Sequence, residues 1–170
     1  MIHPWSIPLN DSHFVLTPFI SSGLSVFNFD PRTTYNGNMY RLQPLGTEGQ
    51  GMPGFGEKYQ LTQLSIPIGG GLKMQVSERM SVIIESYAHK TFTDYIDDVS
   101  TVYYDNDAIR AAYGDVAAYF ADPSTTPTRE APIKCGTNPG EKRGETTYND
   151  SFMFAWLNVS YKITGTSKSR

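Results

Sequence analysis

The sequence predicts an all-β chain. The fold class is an antiparallel up-and-down transmembrane β-barrel, represented by about four strands of an eight-stranded ring with a short helix in an external loop. Three observations lead there. Four segments alternate apolar and polar residues in the manner of a strand whose two faces meet different surroundings. The connections between them run long, short, long, as in outer-membrane barrels with short periplasmic turns and long external loops. Composition disfavours a helical bundle: of 170 residues, 15 are Gly and 11 Pro, while aromatics make 13% and charged residues only 18%. The length suits a single domain by the usual roughly 100–200 residues per domain, so residues 1–170 are taken as one partial barrel domain.

The first strand is placed near 14–29, with Phe14, Leu16, Ile20, Leu24 and Val26 on one face and Thr17, Ser21, Gly23 and Ser25 on the other; Pro18 counts against it. The second, near 58–74, sets Leu64, Ile66, Ile68, Leu72 and Met74 against Gln63, Ser65, Gly69, Gly71 and Lys73. The third, near 80–96, opposes Val82, Ile84 and Ala88 to Glu85, Tyr87, His89, Thr91 and Thr93. The fourth, near 148–163, carries Met153, Ala155, Leu157, Val159 and Ile163 on one face; Asn158, Ser160 and Lys162 share the other with Phe152, Phe154 and Trp156. On this pattern Leu64, Ile66, Ile68, Leu72, Val82 and Ile84 form a lipid-facing band.

Between the second and third strands only Gln75 to Arg79 intervene, a hairpin-length turn. The long connection from Asp97 to Asp150 holds ten acids and five bases, a net charge of -5, and the only extended helical pattern, Asp107 to Ala121, with Asp107 as its cap and Pro123 as its stop. Both long loops must lie on one side, because the two strands joined by the short turn run between them.

Several functions lose their footing. Lys+Arg 14 against Asp+Glu 17 gives a net charge of -3, without the basic excess of a nucleic-acid binder. The single cysteine, Cys135, precludes an internal disulfide, and there is no Cys/His cluster with zinc spacing. His3, His13 and His89 are the only histidines, and no Gly-x-Ser-x-Gly, His-Glu-x-x-His or Walker-type loop occurs, so no nucleophile and base support an enzyme. The start, Met1 to Asn10, lacks the features of a secretory signal, and no apolar run reaches the length of a transmembrane helix. The first point leaves either a cytoplasmic protein or a start that is not the native N-terminus; the second does not bear on strands that cross a membrane.

The residue strings are specific enough to suggest a family. Thr17-Pro18-Phe19-Ile20, Phe27-Asn28-Phe29-Asp30-Pro31, Leu45-Gly46-Thr47-Glu48-Gly49-Gln50-Gly51, Ile66-Pro67-Ile68-Gly69-Gly70-Gly71, Thr91 to Ser100, Arg143-Gly144 and Tyr161-Lys162-Ile163 together resemble the outer-membrane β-barrel family that includes the PorG-like component of the type IX secretion system. The likeness spans roughly 14–163, with Thr47 to Gly51 and Thr93 to Ser100 its most distinctive parts. It implies a bacterial outer-membrane structural component without chemistry or cofactor of its own, which anchors or organises periplasmic parts of the secretion machinery. It also implies that this chain corresponds to the C-terminal half of a member. Four strands cannot close a barrel, since about eight make the smallest filled ring, so another chain or a preceding half must complete it. His89 departs from the arginine that such a member favours.

Lys73, Glu85 and His89 are candidates for the barrel interior. Glu85 and His89, four apart on one face, suggest a charge cluster; the plainer reading, that they fill a polar lumen, is preferred. A turn centred on Ser77 would place Gly69 across from Glu85 and Ser65 across from His89. Ser77, Glu78 and Arg79 in the turn, with Lys168 and Arg170 in the tail, are the candidate contacts for a periplasmic partner. Asp94, Asp97, Asp98, Asp105 and Asp107 lack the spacing of a calcium loop and are read as loop solvation and local turns, so no metal is assigned. Thr47 to Gly51, with Gly54 and Gly56, is read as a turn-rich external loop, since no following helix or lysine makes it a phosphate cradle. The alternative to the membrane component is a soluble β-barrel that binds a small apolar ligand.

Overall fold

The fold comes from a computed structural model that describes residues 7–8, 15–125 and 136–163. The chain is all-β and antiparallel, with two short helices, and it divides into a sheet unit (residues 1–25, 64–90 and 151–170) and a loop unit (residues 26–63 and 91–150).

The sheet is built from β1 (Ile7–Pro8), β2 (Val15–Ser22), β3 (Ser25–Asn28), β6 (Thr62–Gln75), β7 (Met80–Thr91) and β8 (Ser151–Tyr161); β4 (Arg32–Tyr35) and β5 (Asn38–Arg41) form a separate hairpin. Its order is β1-β2-β6-β7-β8, with β3 also on β6, so the four long strands meander in sequence order as anticipated. Among the described residues the sheet stays open, with β1 and β8 at its edges.

Strand ends differ from the sequence expectation for local reasons. The segment expected as one strand over 14–29 is broken at Gly23 and Leu24 into β2 and β3. β6 begins at Thr62 rather than 58, because Tyr59 instead stacks between Phe29 and Tyr95 at 6.0 and 4.7 Å. β7 stops at Thr91, whose hydroxyl donates to Thr93 O at 3.0 Å and Asp150 O at 2.6 Å. β8 starts at Ser151 instead of 148, since the Asp150 carboxylate turns to accept the Ile96 N–H at 2.8 Å.

The turn after β6 is closed by Ser77, whose Oγ accepts the N–H groups of Arg79 (3.3 Å) and Met80 (3.1 Å), while the Val76 N–H donates to Met80 O at 2.9 Å. The turn is therefore centred on Glu78 rather than Ser77, and the register moves by two positions. A Cβ on Gly71 would lie 2.8 Å from the Cα of Glu85, and one on Gly69 2.7 Å from the Cα of Tyr87, so Gly71 takes the place beside Glu85 that was expected of Gly69. An even shift keeps every side chain on its face.

The glycine triplet has a second effect. Side chains on Gly69 and Gly71 would strike the backbone of β7, and one on Gly70 would lie 3.0 Å from the Cα of Ile20 on β2. Three consecutive positions without Cβ let the central strand press against both neighbours, the device by which a sheet acquires a local bend.

The faces follow from the pairing. Pro18 lies beside Leu72, Val82 beside Val159, and Ile84 beside Leu157. This apolar face is exposed: Ile20 62%, Leu72 43%, Ile84 52% and Leu157 64%. Within the sheet unit only Phe19, Ser65 and His89 are buried among the described residues, all on the opposite face.

In the loop unit, β4 and β5 are joined by Asn36-Gly37, both at positive φ (50° and 78°), the backbone of a two-residue hairpin turn. Arg32 and Arg41 converge on Asp30, at 2.7 and 2.8 Å from its two oxygens. The helical pattern expected over 107–121 is two helices, α1 (Asn106–Tyr113) and α2 (Asp115–Ala121), separated by Gly114 at φ 90°. Asp105, not Asp107, caps α1, accepting the N–H groups of Asp107 and Ala108 at 2.9 and 3.0 Å. Ile109, Ala117, Ala118 and Ala121 form the small apolar core, with Leu45, Met52, Tyr104 and Tyr113 packed on it. Small alanines on α2 and one isoleucine on α1 let the two short helices approach closely.

Candidate functional site

Two constellations bear on function, one in each unit. On the sheet, Lys73, Glu85 and His89 share the face opposite the apolar band, as the alternation required. They do not form a charge cluster. Glu85 accepts Asn158 Nδ2 at 2.9 Å and the Tyr87 hydroxyl at 3.3 Å, and Lys73 is exposed. His89 stacks on Phe152 at 4.5 Å, meets Phe154 edge-on at 5.7 Å, and its Nδ1 lies 3.0 Å from the Ser65 hydroxyl. A Ser–His pair invites comparison with an activated nucleophile. Ser65 is fully buried, though, so its hydroxyl cannot meet a substrate in this arrangement, and the pair satisfies a buried imidazole.

Beside His89 runs an open groove of about 420 Å³, walled by Tyr87, Phe154 and Trp156 and, across from them, by Ser21, Ser22 and Pro67. The apolar residues proposed to meet lipid all lie on the other face. Leu64, Ile68, Leu72 and Ile84 are exposed there, while Ile66 and Val82 are half-buried.

Ser77, Glu78 and Arg79 are exposed at the tip of the β6–β7 turn. Lys168 and Arg170 lie outside the described residues.

The second constellation was not foreseen. Of Thr47 to Gly51, expected as a turn-rich external loop, Thr47 to Gln50 are buried and only Gly51 is exposed; Glu48 has 0% exposure. One Glu48 oxygen accepts the Ser100 N–H (2.9 Å) and Arg143 Nη1 (3.1 Å); the other accepts the Thr101 N–H (3.0 Å) and hydroxyl (2.7 Å). Asp98, 1% exposed, accepts the Thr47 hydroxyl and the Tyr59 hydroxyl, each at 2.6 Å. Arg143 completes its fork on Asp98 O (2.9 Å) and Phe120 O (3.2 Å). A bridge between Val102 and Lys142 delivers Arg143 to this position, and Gly144 passes where a Cβ would come within 2.6 Å of the Ser100 backbone.

Burial pushes the Asp98 carboxyl above its ordinary range, against the Thr47 and Tyr59 hydrogen bonds and the Arg143 charge that lower it. Burial also raises the Tyr59 hydroxyl, reinforced by its bond to Asp98. Both oxygens of each carboxylate accept hydrogen bonds from the loops around them. The cluster is a lock for the loops that supply it. The other acids act locally: Asp94 accepts the Ser100 hydroxyl at 2.8 Å, Asp97 the Val99 N–H at 3.1 Å, and no group of three or more potential metal ligands converges among the described residues. Sequence spacing missed Glu48, Asp98 and Arg143 as partners; the strings holding Glu48 and Asp98 were the distinctive ones, and Arg143 carried no such signal.

The geometry defines an antiparallel all-β protein with one exposed apolar sheet face and a loop unit fastened by buried charge. Residues 4–118 match a family described as a domain of unknown function (DUF6089), and the chain belongs to that family. No curated protein and no solved structure matches the chain.

Proposed function

We propose that the chain forms about four strands of the wall of a bacterial outer-membrane β-barrel and serves there as a structural component that anchors periplasmic parts of the type IX protein secretion machinery. The observation that carries the membrane reading is the exposed apolar face shared by β2, β6, β7 and β8. A chain in water does not leave Ile20, Leu72, Ile84 and Leu157 on one open face, whereas a barrel wall requires it. No helix among the described residues is long and apolar enough to cross a membrane. The glycine triplet of β6, which lets the strand approach both neighbours closely, is compatible with the curvature of a barrel. The anchoring role rests on the resemblance of the residue strings and on the exposed Ser77, Glu78 and Arg79, which on this reading face the periplasm.

The groove beside His89 favours a second reading, a soluble β-barrel that binds a small apolar ligand. Fractionation separates the two. The membrane reading requires the chain in the detergent-extracted outer membrane, with single cysteines at Leu72 or Ile84 (in a Cys135→Ser background) shielded from a water-soluble maleimide and one at Ser77 labelled only after the outer membrane is breached. A soluble chain with positions 72 and 84 freely labelled overturns it. A photocrosslinker at Ser77 that captures no periplasmic protein, in a chain correctly inserted, overturns the anchoring role alone.

A further inference from the structure

The polar face of the sheet carries a row of aromatic rings that the apolar band does not explain. β8 sets Phe152, Phe154 and Trp156 at every second position, and β7 places Tyr87 beside Phe154 and Glu85 beside Trp156. By the alternation of a strand these side chains lie opposite Ile84 and Leu157, so whatever covers the apolar band does not cover them. Phe154 and Trp156 nonetheless stand 51% and 42% exposed. Tyr87 and Trp156 are tilted by 49° with centroids 5.9 Å apart, and Phe154 meets Trp156 at 74° and 5.5 Å. Together the three rings make one wall of the groove beside His89, with Ser21, Ser22 and Pro67 across from them. Gly69 lies between Ser21 and Tyr87, and its missing side chain leaves the groove open there.

The chemistry of that wall selects among occupants. Aromatic rings present negative faces, which attract a cation. Glu85 adds a formal charge: its Oε2 accepts the Tyr87 hydroxyl at 3.3 Å and its Oε1 accepts Asn158 Nδ2 at 2.9 Å, both neutral donors. Among the described residues it forms no ion pair, and Lys73, on the same face, is exposed. A half-buried carboxylate without a counter-charge favours a cation nearby. An anion finds no lysine or arginine in the lining, and a metal ion no converging set of ligands among the described residues. A bare hydrocarbon would fill the volume but leave Glu85 uncompensated. The apolar rings suit a charge spread over methyl groups better than a small, strongly hydrated one, and about 420 Å³ is the size of a small-molecule site.

We propose that the groove binds a quaternary ammonium group, its methyl groups against Tyr87, Phe154 and Trp156 and its charge balanced by Glu85. The inference goes beyond both readings above, since the groove has the same wall in a barrel lumen as in a soluble chain.

The test uses the full chain, in a detergent without a choline headgroup or, if recovered soluble, in buffer. The probes are choline and its uncharged carbon isostere, in which a tert-butyl group replaces trimethylammonium. Trp5 and Trp156 are the two tryptophans, so a Trp5→Phe chain reports the groove through the fluorescence of Trp156. Choline should shift that emission saturably and bind about tenfold more tightly than the isostere, the size of a cation–π preference at a partly exposed site. Calorimetry on the unaltered chain should give the same ratio without relying on any variant. Glu85→Gln should narrow the ratio several-fold, whereas Lys90→Gln, on the opposite face, should leave it unchanged. Equal affinity for the two probes, no binding of choline, or a ratio indifferent to Glu85→Gln overturns the inference. A choline-selective chain recovered only in the soluble fraction overturns the membrane reading alone, and a membrane-inserted chain blind to choline overturns this inference alone.

Discussion

On the sheet, Ile20 and Leu157 stand 62% and 64% exposed; in the loop unit, Glu48 and Asp98 are 0% and 1% exposed. One region turns its hydrocarbon outward and the other its carboxylates inward. Each choice is costly in isolation, and the surroundings differ in how the cost is met. Glu48 and Asp98 are met residue by residue, with a hydroxyl, N–H or guanidinium at every oxygen. Among the described residues of the sheet unit, none covers the apolar face. The loop unit thus meets its buried carboxylates with its own residues, whereas the sheet takes part of its stability from whatever covers it, which on the proposed reading is lipid.

The sharpest way to break the contrast is to unpair the buried charge. Arg143→Met should destabilise the loop unit by about 3–5 kcal/mol, because Glu48 would remain buried without its counter-charge. Hydrogen exchange should then rise at Ser100 and Thr101 and stay unchanged at Ile84. Equal loss in both regions would mean that the units do not melt separately. Next in size, Ile84→Arg should cost about 2–4 kcal/mol in a bilayer near the midplane and little for a soluble chain, as read by refolding into lipid vesicles and into lipid-free buffer. Asp105→Ala removes the α1 cap and should cost about 1 kcal/mol, confined to exchange in residues 106–109.

Acid provides the smallest and most diagnostic effect. The Lys142 ammonium, then the Thr147 hydroxyl and N–H, hold Glu145 at about 2, below its usual 4.5. The Arg41 hydrogen bond, aided by Arg32, likewise holds Asp30 low. Both pKa values are lowered on folding, so their contributions are present above the ordinary carboxylate range and fade as pH falls, for Glu145 between about 4.5 and 2. Asp98 has the opposite sign: raised by burial, it favours the fold when protonated and loses that contribution as pH rises through its elevated value. Carboxyl-resolved NMR titration should therefore find Asp98 protonating before Asp30 and Glu145 as acid is added. The reverse order would show that Asp98 is not desolvated.

The sheet was largely legible because a pleat writes itself into sequence at every second residue: β6, β7 and β8 show through Leu64 to Met74, Val82 to His89 and Met153 to Val159. Failures of placement have local causes. Gly23 and Gly114 break elements that hydrophobic spacing alone runs straight through. Asn36-Gly37 is a strong hairpin signal, but its flanking strands have four residues each, too few for alternation to register. The register of the β6–β7 hairpin turned on which residue centres a short turn, and the side-chain bond of Ser77 decided it. The buried cluster could not be read at all. Glu48 finds Ser100 52 residues away and Arg143 95 away, and no periodicity spans such gaps.

Those separations also order events in time. The β6–β7 hairpin closes over a handful of residues and can form as soon as Met80 exists. The loop unit cannot lock until Arg143 has been made and delivered, because until then the Glu48 carboxylate keeps its water. Long loop closures come late in folding. A chain that emerges N-terminus first therefore carries its first three long strands well before the loop unit sets, and the clasp shuts only as β8, eight residues beyond Arg143, comes into reach.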